Sequence, residues 1–152
     1  MAQLWVDADA CPRNNKDLVC RSAVRTGIAV CFVAGRHMFT PAHPLITMVA
    51  VGDAFSAADE HIIAQSQAGD LVITDDVPLA AALVDKGVRV ISNRGRVFTP
   101  ENVKEALTMR NLMQELRGGL EQTGGGGPAP MGPKNFEQFA NALDRELAKT
   151  KK

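Results

Sequence analysis

Residues 71–92 read LVITDDVPLAAALVDKGVRVIS. An apolar run over 71–74 meets an acid pair, a helical pattern starts near Pro78 and stops at Gly87, and a second apolar run covers 88–92. Proline suits a first helical turn and glycine a helix stop. Continuously apolar strands separated by a helix are the pattern of parallel strands covered on both faces. The same form recurs upstream: LWV at 4–6, IAVCFV at 28–33 and LITMVAV at 45–51 read as three more strands. Between them, Leu18, Val19, Ala23 and Val24 recur at helical spacing from Pro12 to Gly27. A further helix begins at Ser56, turns Ile62 and Ile63 inward and ends at Gly69. The expectation is an α/β fold with a mostly parallel open sheet of about five strands and helices on both faces.

From Pro100 the string PENVKEALTMRNLMQELR forms a longer amphipathic helix, with Thr99 as its N-cap and Gly118 and Gly119 as its stop. TGGGGPAPMGP then breaks regular structure, so residues 120–134 read as a flexible loop. Residues 135–152 form a C-terminal helix. There Phe136, Phe139, Leu143 and Leu147 make one apolar stripe, which must bury itself on the main body, residues 1–119, or on a second chain. An oligomer is therefore allowed.

At 152 residues and 45% apolar content the chain suits one domain with a substantial core. Its 17 basic and 17 acidic residues cancel, so a nucleic acid must be held locally rather than by a global basic field. Aromatic content of 5% without tyrosine disfavours a base-stacking RNA binder. Cys11, Cys20 and Cys31 are odd in number and lack C-x-x-C spacing, which argues against a disulfide framework or a zinc site. His37, His43 and His61 share no metal-ligand spacing. No signal-peptide pattern and no apolar run of membrane length occur, so a cytoplasmic protein without a membrane partner is expected.

Chemistry concentrates at strand ends. Asp7 and Asp9 follow the first strand in WVDADACP, and Asp75 and Asp76 follow the fourth. In open parallel sheets ligands bind beyond the carboxyl ends of the strands, and neighbouring strands lie only ~4.8 Å apart. Four carboxylates so gathered repel one another unless a cation, an arginine or raised pKa values relieve them. Oxygen ligands alone favour Mg²⁺ or Mn²⁺, the ions of phosphoryl transfer. Structural roles compete: Asp76 as the cap of the helix near Pro78, and Asp59 as the partner of Ser56 in a capping box. Cys11 is the nearer cap for the first helix, leaving Asp7 and Asp9 for function. As a nucleophile Cys11 lacks an identifiable base. Arg94 and Arg96 in SNRGRVF lie at the same sheet edge as the acids and suit phosphate contact, or a solvated loop. Arg110 falls in an apolar arc with Val103, Ala106, Leu107 and Met113, so it needs a half-buried acceptor among the aspartates or snorkels outward.

WVDADACP, AGDLVITDDVPLAA, the NRG loop, LTMRNLMQELR and QTGGGGP together resemble the YaiI/YqxD family, which is grouped with PIN-like nuclease domains. The resemblance implies a PIN-like fold with Asp7 as the strand-end acid and Asp9 beside it. It implies a second acid at Asp59, within Ala58, Asp59 and Ile62, and a third at Asp76, within Thr74, Asp76 and Leu79, with Asp75 extra. Asp7, Asp59 and Asp76 would hold Mg²⁺ or Mn²⁺ and activate water to cut RNA, with Thr74, Arg94, Arg96 and Arg110 on substrate or phosphate. The tail departs from the pattern, reading KNFEQF where an Asp-Arg pair is expected before the phenylalanine. Two other readings compete. VDADAC also resembles the D-x-D of haloacid-dehalogenase-like phosphatases, with Asp7 as nucleophile, but CFVAGRH lacks the Ser or Thr expected after strand 2. The last is a catalytically silent RNA- or protein-binding module.

Overall fold

The computed structural model describes residues 2–119 and 131–150. Its elements run β1 (Leu4–Asp7), α1 (Arg13–Thr26), β2 (Val30–Ala34), β3 (Ile46–Ala50), α2 (Ala57–Gln65), β4 (Leu71–Ile73), α3 (Val77–Lys86), β5 (Arg89–Ile91), β6 (Val97–Phe98), α4 (Pro100–Gly119) and α5 (Pro133–Lys149). The sheet order is β3-β2-β1-β4-β5-β6, parallel from β3 to β5. The α/β expectation holds, with a sixth strand added.

β6 pairs antiparallel with β5, Val90 opposite Phe98 and Ile91 opposite Val97. Two residues show no periodicity, which is why the segment reads from sequence as an arginine loop. The hairpin closes through the Ser92 N–H on the Arg96 carbonyl, and Gly95 turns it at φ +88°. Any Cβ on Gly95 would run into the Gln138 carbonyl of α5, so glycine is required both by the turn and by that approach.

Alternation along the strands sends side chains to opposite faces. Leu4 and Val6 pack with Val19, Ala23, Phe139 and Leu143, so α1 and α5 cover one face. Trp5 packs on the other with Ile62, Leu79, Leu83 and Val103, from α2, α3 and α4. The tail stripe is thus buried on the main body: Phe139 and Leu143 have no exposure and Phe136 is half-buried. Arg89 of β5 fastens the far end of α5, with Nη1 2.9 Å from the buried Glu146 Oε1 and Nη2 donating to Thr150 Oγ1. The expected loop over 120–134 lies outside the described residues from 120 to 130. Its last part is different: α5 starts at Pro133, a good first-turn residue.

Several boundaries move for local reasons. α2 ends at Gln65 rather than Gly69, because the Asp70 carboxylate takes the N–H of Gln67 and Gln3 and the Trp5 indole N–H, folding 66–70 as a turn. Pro12 is the N-cap of α1 and no Cys11 cap forms. No Ser56–Asp59 capping box forms either, since Ser56 has φ +63°. Thr99 does cap α4, exchanging bonds of 2.8 and 3.1 Å with Asn102. α4 runs to Gly119, the last residue described on that side. The second half of that helix exposes Met109, Leu112, Met113 and Leu116.

Candidate active site

The chain winds outward from β1 through β2 to β3, then returns to place β4 on the other side of β1. The two windings part between β1 and β4, where a crevice opens beyond the carboxyl ends of the strands. Asp7 ends β1 and Thr74 directly follows β4. The buried Thr74 hydroxyl donates to Asp7 Oδ2 at 2.8 Å and accepts the Asp76 N–H at 3.0 Å. Its single donor is spent on Asp7 and one acceptor site on the Asp76 N–H, so Thr74 orients Asp7 at the lip of the crevice. Asp76 Oδ1 caps α3 by accepting the Leu79 N–H at 2.9 Å, while the residue also lines the crevice. The capping and functional readings of Asp76 are therefore compatible.

Asp9 Oδ2 accepts the Gly35 N–H at 2.9 Å. A Cβ on Gly35 would lie 3.1 Å from Asp53 Oδ1 and 3.6 Å from Asp9 Oδ2, so the bare backbone lets the ends of β2 and β3 bring these acids close. Asp7, Asp9, Asp53, Asp59 and Asp76 line one cleft of about 420 Å³ with Arg110. Asp53 was not anticipated, although it stands after β3 as Asp76 stands after β4; the strand-end rule applied to VGDAF would have found it. It pairs with Arg36 at 3.2 Å. Arg110 makes no ion pair among the described residues.

Asp75 is not in the cleft: adjacent side chains diverge, and it turns to accept the Asn93 N–H at 2.8 Å, bracing the β5–β6 hairpin. Arg94 and Arg96 follow β5 at the expected edge but do not line the cleft, and the Arg96 guanidinium lies over the Phe98 ring, 5.4 Å from its centre. Burial pushes the Cys11 thiol up to about 12, which disfavours the thiolate that a nucleophile needs.

The acids strain one another. Burial, and after it the charges of Asp76, Asp7 and Glu60, push Asp59 up to about 6. Asp7 is raised too, by burial first, against the Thr74 hydrogen bond that favours its charged form. Folded Asp59 keeps its proton to about pH 6, whereas the unfolded chain releases it near 3.8. The group therefore favours the folded state at low pH, and that contribution is lost as pH rises through 6. In EDTA, Asp59→Asn should raise stability at pH 7.5 by about 1 kcal/mol, less than the shift alone implies because the carboxylate is partly solvated. It should also flatten the fall in melting temperature between pH 5 and 7.5. Identical pH slopes for the two proteins would refute this.

Among the described residues, no three His, Cys, Asp or Glu side chains converge as a dry metal cage would require. The donor set still fits a hydrated ion. Mg²⁺ keeps several waters and needs only one or two carboxylates, and this cleft offers oxygen donors with excess negative charge.

A doubly wound α/β protein with an acid-lined cleft at its reversal point is the class that fold and site define. Within it, the chain belongs to the YaiI/YqxD family, described as uncharacterised, whose model matches residues 5–149. It is 45% identical to a UPF0178 protein of Aliivibrio salmonicida, over 99% of this chain and 98% of that one. It is 47% identical to a UPF0178 protein of Myxococcus xanthus, over 97% and 95% of the two chains. No solved structure matches it. Among the described residues, no helix is long and apolar enough to cross a membrane.

Proposed function

We propose that this protein is a Mg²⁺- or Mn²⁺-dependent phosphodiesterase acting on RNA or another nucleic acid. One observation carries the reading: five aspartates share a cleft at the reversal point of the sheet with Arg110, which makes no ion pair among the described residues. Carboxylates held at mutual cost, with Asp7 and Asp59 both raised, make a site whose charge a divalent cation relieves. Asp7 and Asp76, linked through Thr74, would hold it as a hydrated ion, with Asp59 of the same cleft reaching it directly or through water. When bound, such an ion supplies acidity to water and offsets the charge of a phosphodiester. Arg110 is available to donate to a phosphate oxygen. Asp9, spent on the Gly35 N–H, supports the cleft wall. The phosphatase reading fits less well, since it needs Asp9 as acid/base and a hydroxyl after β2, where Gly35 stands. A cytoplasmic setting suits the three free cysteines.

The test is a panel of single-stranded RNAs incubated with purified protein and Mn²⁺. Cutting that stops with EDTA, without phosphorylated protein as an intermediate, is expected. An intact panel refutes the reading and leaves the silent binding module as the better account.

A further inference from the structure

Phe55 is 98% exposed and lines the same cleft as the five aspartates. The backbone around it is unusual. Ser56, the next residue, is the one non-glycine with positive φ among the described residues, at +63°. A serine in the left-handed region is mildly strained and persists where the chain must turn sharply. Here the turn leads from the end of β3 into α2, so the loop that displays the ring carries Asp53 and delivers the chain to Asp59 in the first turn of α2. Phe39, 87% exposed, lines a different groove with Arg13 and Lys16, which leaves Phe55 as the aromatic ring of the acid cleft.

Resting on the phosphodiesterase reading, we propose that Phe55 is a stacking platform for an unpaired nucleobase of the strand bound in the cleft, which restricts the substrate to single strands. An aromatic face accepts any base, so the preference concerns strandedness and not sequence. A base inside a duplex is already paired and stacked, and offers the ring no free face. The competing occupant is a second copy of the chain, because α4 exposes an apolar stripe of its own. A protein surface seated on Phe55 would also cover the carboxylates of the cleft, and burying unpaired charges is costly. A nucleotide instead brings a ring to Phe55 and a phosphate toward Arg110.

The experiment compares a labelled phosphorothioate oligouridine, which resists hydrolysis, with its duplex, by fluorescence anisotropy in Mn²⁺. Phe55→Ala should bind the single strand roughly 5- to 100-fold more weakly, with duplex binding and melting temperature unchanged. Phe55→Trp should restore binding and Phe55→Leu should not. If Phe55→Ala binds like wild type while wild type cuts RNA, the stacking role is wrong and the phosphodiesterase reading survives. Equal losses for single strand and duplex also overturn it. So does a change from dimer to monomer in sedimentation with oligonucleotide binding intact, which would assign the ring to a second copy. Wild type that neither binds nor cuts any strand removes both proposals.

Discussion

Asp7→Asn should lower Mn²⁺-dependent cutting of single-stranded RNA by at least about a hundredfold, since even groups that merely support a metal ligand typically cost 10- to 100-fold. Asparagine keeps an acceptor for the Thr74 hydroxyl, so the geometry at the end of β1 survives and only the charge is lost. Asp76→Asn should do the same. Its Oδ1 still accepts the Leu79 N–H, and asparagine caps a helix as well as aspartate does. Lost cutting with a melting temperature in EDTA that does not fall in either variant therefore separates the charge from the cap. Undiminished cutting by Asp7→Asn would mean that the activity arises elsewhere or from a contaminant.

Phe139→Ala should destabilise the protein by about 3–5 kcal/mol, the usual cost of removing a fully buried phenylalanine. Domains of this kind are stable by only about 5–15 kcal/mol, and each kcal/mol moves the melting temperature by roughly 2–4 °C at this size. The ring lies among Leu4, Val6 and Phe32 of the central strands and Val19 of α1. The void would open in the middle of one layer, with little scope for collapse. Urea unfolding measures the loss. A change below about 1 kcal/mol would make α5 a loosely docked appendage instead of a wall of the core.

The parallel strands and most helix limits were legible because continuous apolar runs and glycine stops are local signals. Asp7, Asp59 and Asp76 were legible for a related reason: strand ends and helix starts can be read from the chain. What escaped depends on direction and on approach between distant segments. Nothing in the pair Asp75-Asp76 says that the first carboxylate turns to Asn93 and the second to the cleft. Arg94 and Arg96 stand at the correct edge, yet neither lines the cleft. Phe55 illustrates the limit of composition. Few aromatic residues argued against stacking on bases, but a count does not say that one exposed ring stands at the acid cleft.

The position of β1 has a consequence for the order in which the chain acquires structure during synthesis. β1 is made before the other strands of this sheet, yet it is a central strand, and its partner β4 is made about seventy residues later. The Thr74–Asp7 bond spans 67 residues. Such non-local pairings are slow to form. The nascent chain can assemble β1, α1, β2 and β3 early, but Asp7 waits without its orienting hydroxyl until β4 arrives. The sheet face under Phe139 and Leu143 stays bare until α5 has been made. The acid cleft and the last wall of the core are thus late products of translation, and a truncated chain would carry exposed apolar sheet, the surface on which aggregation begins.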